Sequence, residues 1–164
     1  MTRTALFASV LSLAAAPVLA ATATATLEGT DGSPMGTVTV EDTASGMAHV
    51  TVELENVPEG VHGIHIHETG DCSADDFTSA GGHLSGDADH GIMAGNGPHP
   101  GDLPNAHVPE SGMLTVEVFQ PDFAVEDMLM DEDGAAFIIH SGADDYESQP
   151  SGDAGSRIAC GVFE

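Results

Sequence analysis

Apolar and polar residues alternate in short runs along most of this chain. "ATATATLEG" (Ala21 to Gly29), "MGTVTVED" (Met35 to Asp42) and "MAHVTVELENV" (Met47 to Val57) all repeat with period two. Successive side chains of a strand point to opposite faces, so each run predicts a strand with one buried face. "VHGIHIHE" (Val61 to Glu68) follows a Pro58-Glu59-Gly60 turn. "GMLTVEVF" (Gly112 to Phe119), "GAAFIIH" (Gly134 to His140) and "SRIACGVF" (Ser156 to Phe163) complete the set. "TDGSP" reads as a turn between the first two runs, and "AVEDMLMDED" (Ala124 to Asp133) as a short helical turn. Short strands separated by turn signals predict an antiparallel all-β sandwich or barrel. No repeat and no linker divides the chain, which has the length of one domain.

Two stretches break the pattern. Thr69 to Ser111 is rich in Gly, Asp, His and Pro, and Ser141 to Gly155 in Gly, Asp and Ser. Loops longer than about 15 residues in a compact domain are usually functional or disordered. Both of these contain, or directly follow, histidines.

The opening "MTRTALFASVLSLAAAPVLA" is of another kind. Arg3 supplies a positive start, Ala5 to Ala16 an apolar run too short to span a bilayer, and Val18-Leu19-Ala20 a small-residue cleavage signal. Residues 1–20 are expected to be a signal peptide, with an uncleaved anchor as the competing reading, and residues 21–164 the working domain. Export implies a periplasmic or secreted protein, with no membrane association after cleavage. In an oxidising compartment the two cysteines, Cys72 and Cys160, are expected to pair; free thiols or a metal site are the alternatives.

Charge narrows the partners. The chain has 27 acids against two arginines, and its net charge is −25. Arg3 leaves with the signal peptide, so Arg157 is the one cation of the mature chain that does not titrate. Such a surface suits neither nucleic acid nor anionic membranes.

The nine histidines are the chemical feature of the chain. His65 and His67 flank Ile66 and would share one strand face, either as the polar face of a half-buried strand or as a metal chelate. His83, His90, His99 and His107 fall in the first long loop, Asp102 lies three residues after His99, and His140 ends an apolar strand. Imidazole suits zinc and copper, and an added carboxylate suits zinc. A glycine-rich loop has little packing to shape it, and a bound metal would order it. The donors exceed the need of one four-coordinate ion, so two metals are expected. His62 is expected to be a hydrogen-bonded packing residue, and His49 and His107 surface or loop residues.

The motifs "GIHIHETGDC", "SAGGH", "PHPGDLPN", "IIHSGADDY" and "GDAGSRIACGV" stand in order between Leu27 and Val162. Together they resemble the copper,zinc superoxide dismutases in their bacterial periplasmic form. The resemblance implies an eight-stranded Greek-key β-barrel or flattened sandwich with two long functional loops. It implies copper on His65, His67, His83 and His140, and zinc on His83, His90, His99 and Asp102, with His83 bridging the two. It further implies Asp144 as a carboxylate hydrogen-bonded to a copper and a zinc histidine, a Cys72–Cys160 disulfide, and Arg157 as the guanidinium beside the copper. The implied activity is disproportionation of superoxide, the small-molecule substrate, and a homodimer is compatible with it. A non-enzymatic copper or zinc binder on the same barrel is the alternative; it would not need the bridge, Asp144 and Arg157 together. Two departures stand out. "GGHLSGDADH" replaces the family's usual "GGHFNP", with a His83–His90 interval that looks one residue shorter, and the second loop lacks the lysines that many relatives carry near the channel mouth.

Overall fold

The structure is a computed structural model that describes residues 20–164, so the expected signal segment through Leu19 lies outside the described residues. Among the described residues nine antiparallel strands form: β1 (Thr22–Gly29), β2 (Pro34–Asp42), β3 (Ala48–Leu54), β4 (Gly60–His62), β5 (Ile64–His67), β6 (Ala106–Val108), β7 (Leu114–Gln120), β8 (Ala136–His140) and β9 (Arg157–Val162). A short helix, α1 (Val125–Met128), is the expected helical turn, confined to four residues.

Seven strands form one sheet in the order β5-β8-β9-β1-β2-β3-β7, and β4 pairs with β6. The chain leaves β3, crosses to β4 on the far side, and returns to β7 beside β3, which is Greek-key connectivity. β4 runs into β5 through Gly63, and β6 lies against β7, so the sheet curls back on itself. With β4 and β5 counted as one strand interrupted at Gly63, the expected eight strands are present.

Alternation builds the inside of the curl. In β1 the threonines face solvent while Ala23, Ala25 and Leu27 are buried against Val38, Val40, Val50, Val52, Ile64, Ile66, Phe137 and Ile139. Burial of one such Val, Leu, Ile or Phe side chain stabilises the fold by roughly 1.5–3 kcal/mol. β5 and β8 differ from the other strands, because every residue in both is buried. Their outer faces are roofed by the long loops. Phe77, Ala80 and Cys72 of the first loop pack on Ala136, Ile138 and Cys160, and a Cys72–Cys160 disulfide ties that loop to β9.

The sequence expectation of one unbroken loop from Thr69 to Ser111 is corrected in two ways. β6 interrupts it, and a three-residue "AHV" is too short to show a period. The loop also borrows β5 as a template: Leu84 N–H donates to the Ile66 carbonyl (2.8 Å), Ile66 N–H to the Gly101 carbonyl (2.9 Å) and Glu68 N–H to the Gly82 carbonyl (3.0 Å). β5 is therefore hydrogen-bonded on both edges, by β8 and by the loop.

Candidate metal centre

β5 delivers two side chains to the outer face of the curl. Ile64 and Ile66 enter the core, which leaves His65 and His67 under the first loop. The template pairing sets His83 opposite His67 and Asp102 opposite His65. His140, at the end of β8, is held to the same region by its N–H on the Gly63 carbonyl (2.8 Å). Two four-residue donor groups result, His65, His67, His83 and His140 in one and His83, His90, His99 and Asp102 in the other, and His65, His90 and Asp144 form a smaller third between them; within each, the ligand atoms lie within 4.8 Å of one another. His83 belongs to both four-residue groups.

Ring nitrogens decide what these groups suit. In the first group, His65 Nδ1 and the Nε2 atoms of His67, His83 and His140 are buried without a hydrogen-bond partner among the described residues. The other nitrogen of each ring is engaged: His65 Nε2 with Asp144 (2.8 Å), His67 Nδ1 with the Gly81 carbonyl (3.1 Å), His83 Nδ1 with Asp102 (3.0 Å) and His140 Nδ1 with the Gly155 carbonyl (3.3 Å). A buried polar atom without a partner is costly. Here four are aimed into one place. With its proton on the engaged nitrogen, each ring offers a bare lone pair, the form that binds a metal.

The second group converges on one oxygen. Nδ1 of His83, His90 and His99 lie 3.0, 3.0 and 3.2 Å from Asp102 Oδ1. His90 Nε2 also lies 3.0 Å from Asp144 Oδ1. A neutral imidazole has one N–H and cannot donate to both carboxylates. A cation between His90 Nδ1 and Asp102 Oδ1 removes the conflict. A zinc tetrahedron with bonds of about 2.0–2.1 Å has edges of about 3.3 Å, close to the spacing seen. The all-imidazole first group suits either copper or zinc, and the carboxylate of the second group suits zinc. The altered "GGHLSGDADH" segment still brings His83 and His90 into one group.

Electrostatics agree. Burial pushes His67 down to about 2, aided by the neighbouring His83 and Arg157 charges. Burial likewise pushes His140 down to about 3, and His83 to about 4 against the opposing pull of Asp102. These imidazoles stay neutral at pH 7. For Asp144, burial favours the acid form, but hydrogen bonds from His65, Tyr146 N–H and His90 outweigh it and hold the carboxyl at about 2. For Asp102, burial is again outweighed, by His83 and by N–H donors from Gly91 and His99, and the group stays well below the usual carboxylate range. Both carboxylates are anionic, as ligation or ligand orientation requires.

The second loop positions Asp144. The Asn105 side-chain amide grips its backbone, accepting from Asp144 N–H (2.9 Å) and donating to the Asp144 carbonyl (2.9 Å), while Asn105 N–H donates to the Tyr146 hydroxyl (2.8 Å). Gly152 packs directly on the Asp144–His90 hydrogen bond at φ +69; a Cβ there would collide with Asp144 Oδ1 and His90 Nε2. Arg157 forks from the start of β9 to the Phe77 and Gly81 carbonyls, both at 2.6 Å.

The remaining histidines lie apart. His62 is buried, its ring between the His140 and Pro58 carbonyls (2.8 and 2.9 Å). His107 is exposed on β6. His49 is on the outward face of β3, with Nδ1 3.1 Å from Glu41, Nε2 2.9 Å from Glu117, and its ring stacked 5.3 Å from Phe119. Sequence reasoning did not single out Asn105 as a positioning residue, and its place in "PHPGDLPN" was the only signal.

Comparison with known proteins gives concordant results. A family model described as copper/zinc superoxide dismutase matches residues 34–163. A copper-zinc superoxide dismutase of Caulobacter vibrioides is 37% identical over 87% of this chain and 85% of its own length. One from Aquifex aeolicus is 40% identical over 81% of this chain and 82% of its own length. Among solved structures, a superoxide dismutase-like protein from Bacillus subtilis superposes with a TM-score of 0.79 at 35% identity, over 84% of this chain and 95% of that one. The chain belongs to the copper/zinc superoxide dismutase family.

Proposed function

We propose that this protein disproportionates superoxide to oxygen and hydrogen peroxide, with copper on His65, His67, His83 and His140 and zinc on His83, His90, His99 and Asp102. The observation that carries this reading is His83, whose Nε2 is aimed into one donor group and whose Nδ1 is aimed into the other. Bound copper supplies one-electron redox chemistry, and bound zinc supplies a fixed positive charge.

The chain's own groups do the rest. Asp144 accepts from His65 Nε2 and His90 Nε2, so one carboxylate sets the tautomer and rotation of a ring in each group. His83 Nε2 is the site where a proton can be held between the two half-reactions. Arg157 stands close enough to His67 and His140 to disfavour their protonation, which places a permanent cation beside the first group for an anionic substrate. Its two bonds to loop carbonyls fix that charge in position.

Export to the periplasm is part of the same reading. It is supported by the leader-like residues 1–20 and by the Cys72–Cys160 disulfide, a bond that persists in oxidising compartments.

Stopped-flow decay of superoxide tests the activity. Protein carrying one copper and one zinc should accelerate decay, and removing copper should abolish the effect. Fully loaded protein that leaves the decay at its spontaneous rate would overturn the reading.

A further inference from the structure

His90 is completely buried, yet it belongs to no strand or helix. Its ring spans Asp102 and Asp144. Its backbone N–H and carbonyl both need partners inside the fold. One side chain provides both: Gln149 Oε1 accepts from His90 N–H at 2.9 Å, and Gln149 Nε2 donates to the His90 carbonyl at 2.9 Å. This is the pairing that a neighbouring strand would supply.

Gln149 is itself exposed, but the turn that carries it is braced. Asp145 Oδ1 accepts from the N–H groups of Glu147 (2.9 Å) and Ser148 (2.8 Å), and Gly152 N–H donates to the Ser148 carbonyl (2.7 Å). Gln149 Nε2 also donates to the Glu147 carbonyl (3.0 Å). The second loop therefore holds His90 twice, at the ring through Asp144 and at the backbone through Gln149.

We propose that Gln149 is a positioning residue for the zinc site: its amide sets the depth of the His90 backbone, and so the place of Nδ1 among the donors of the second group. This rests on the zinc reading of His83, His90, His99 and Asp102. The role needs an acceptor and a donor on one planar group. Glutamate offers only acceptors and would turn a lone pair toward the His90 carbonyl; alanine offers neither.

Gln149→Ala and Gln149→Glu, prepared as full chains, test this. Three quantities are read: zinc release to a chelator, the visible absorption of cobalt(II) placed in the second group, and melting of the protein with and without zinc. Both variants should release zinc about tenfold faster, within the range seen when groups that orient metal ligands are removed. Both should show an altered cobalt spectrum, and zinc should raise their melting temperature by less than it raises that of the parent, over and above any loss that the metal-free variants show from the unpaired His90 backbone. Glutamate should be no better than alanine. Unchanged zinc release and cobalt spectra in both variants, beside a parent that binds zinc, would overturn the Gln149 role alone. Altered metal-free melting with unchanged zinc release would reduce Gln149 to a general structural contact. A parent chain that binds neither zinc nor cobalt(II) would overturn the zinc reading and this role with it.

Discussion

His67 and Arg157 share one acceptor: the Gly81 carbonyl takes a hydrogen bond from Arg157 Nη2 at 2.6 Å and from His67 Nδ1 at 3.1 Å. The same oxygen thus fixes the tautomer of a proposed copper ligand and the place of Arg157, the one arginine among the described residues. Arg157 spends two of its five N–H donors on carbonyls, and in the proposed function the others receive the anionic substrate. We predict that Arg157→Ala at full copper loading loses at least about tenfold in rate, about 1.4 kcal/mol of barrier. Arg157→Lys should lose less and Arg157→Glu most. Equal rates for the alanine and glutamate variants would leave Arg157 only its anchoring role.

The disulfide links the roof of the site to β9 across 88 residues of sequence. Cys72→Ser should lower stability by roughly 2–5 kcal/mol and speed metal loss, because Phe77 and Ala80 pack beside the bond. Denaturant unfolding of the loaded and metal-free proteins checks both parts. Unchanged midpoints would contradict the first.

His49 predicts a pH dependence away from the metals. Its hydrogen bond to Glu41, and the further bond and charge of Glu117, raise its pKa against the effect of burial. A raised folded-state value means that the imidazolium stabilises the fold. That contribution is full below the ordinary histidine range of about 6.5 and fades as pH rises through the folded value. The stability difference between the parent and His49→Gln should therefore shrink on going from acid to alkaline pH. Thermal melting of both proteins across that range tests it, and a constant or growing difference would contradict it.

The acidic surface bears on capture. A chain of net charge −25 repels a distant anion, and the Debye length is about 8 Å at physiological ionic strength. Added salt removes that repulsion and leaves the charges beside the site. The association rate should stay flat or rise slightly with salt. A steep fall would show that local attraction dominates even at low salt.

What the sequence made legible follows from burial. β1, β2 and β3 each bury one face, so their period of two is plain. β5 and β8 are buried throughout because the loops roof them, and there the alternation of "IHIH" is chemical, isoleucine toward the core and histidine toward the site. β6 carries too few residues to show a pattern. The meeting of Asp144 with His65 and His90, 79 and 54 residues away, was not readable from spacing; family resemblance supplied it. Gln149 left no signal, since an amide bonded to a distant backbone follows no local rule. The partners of His49 come from β2 and β7, and strand register is what placed them beside it.

In the proposed centre His83 joins two metals through its two ring nitrogens. The electron paramagnetic resonance of copper(II) in the first group with cobalt(II) in the second tests this. Magnetic coupling across a shared imidazolate should suppress the copper signal, and His83→Ala should restore it. A full-strength copper signal in protein carrying both ions, with His83 intact, would contradict the claim.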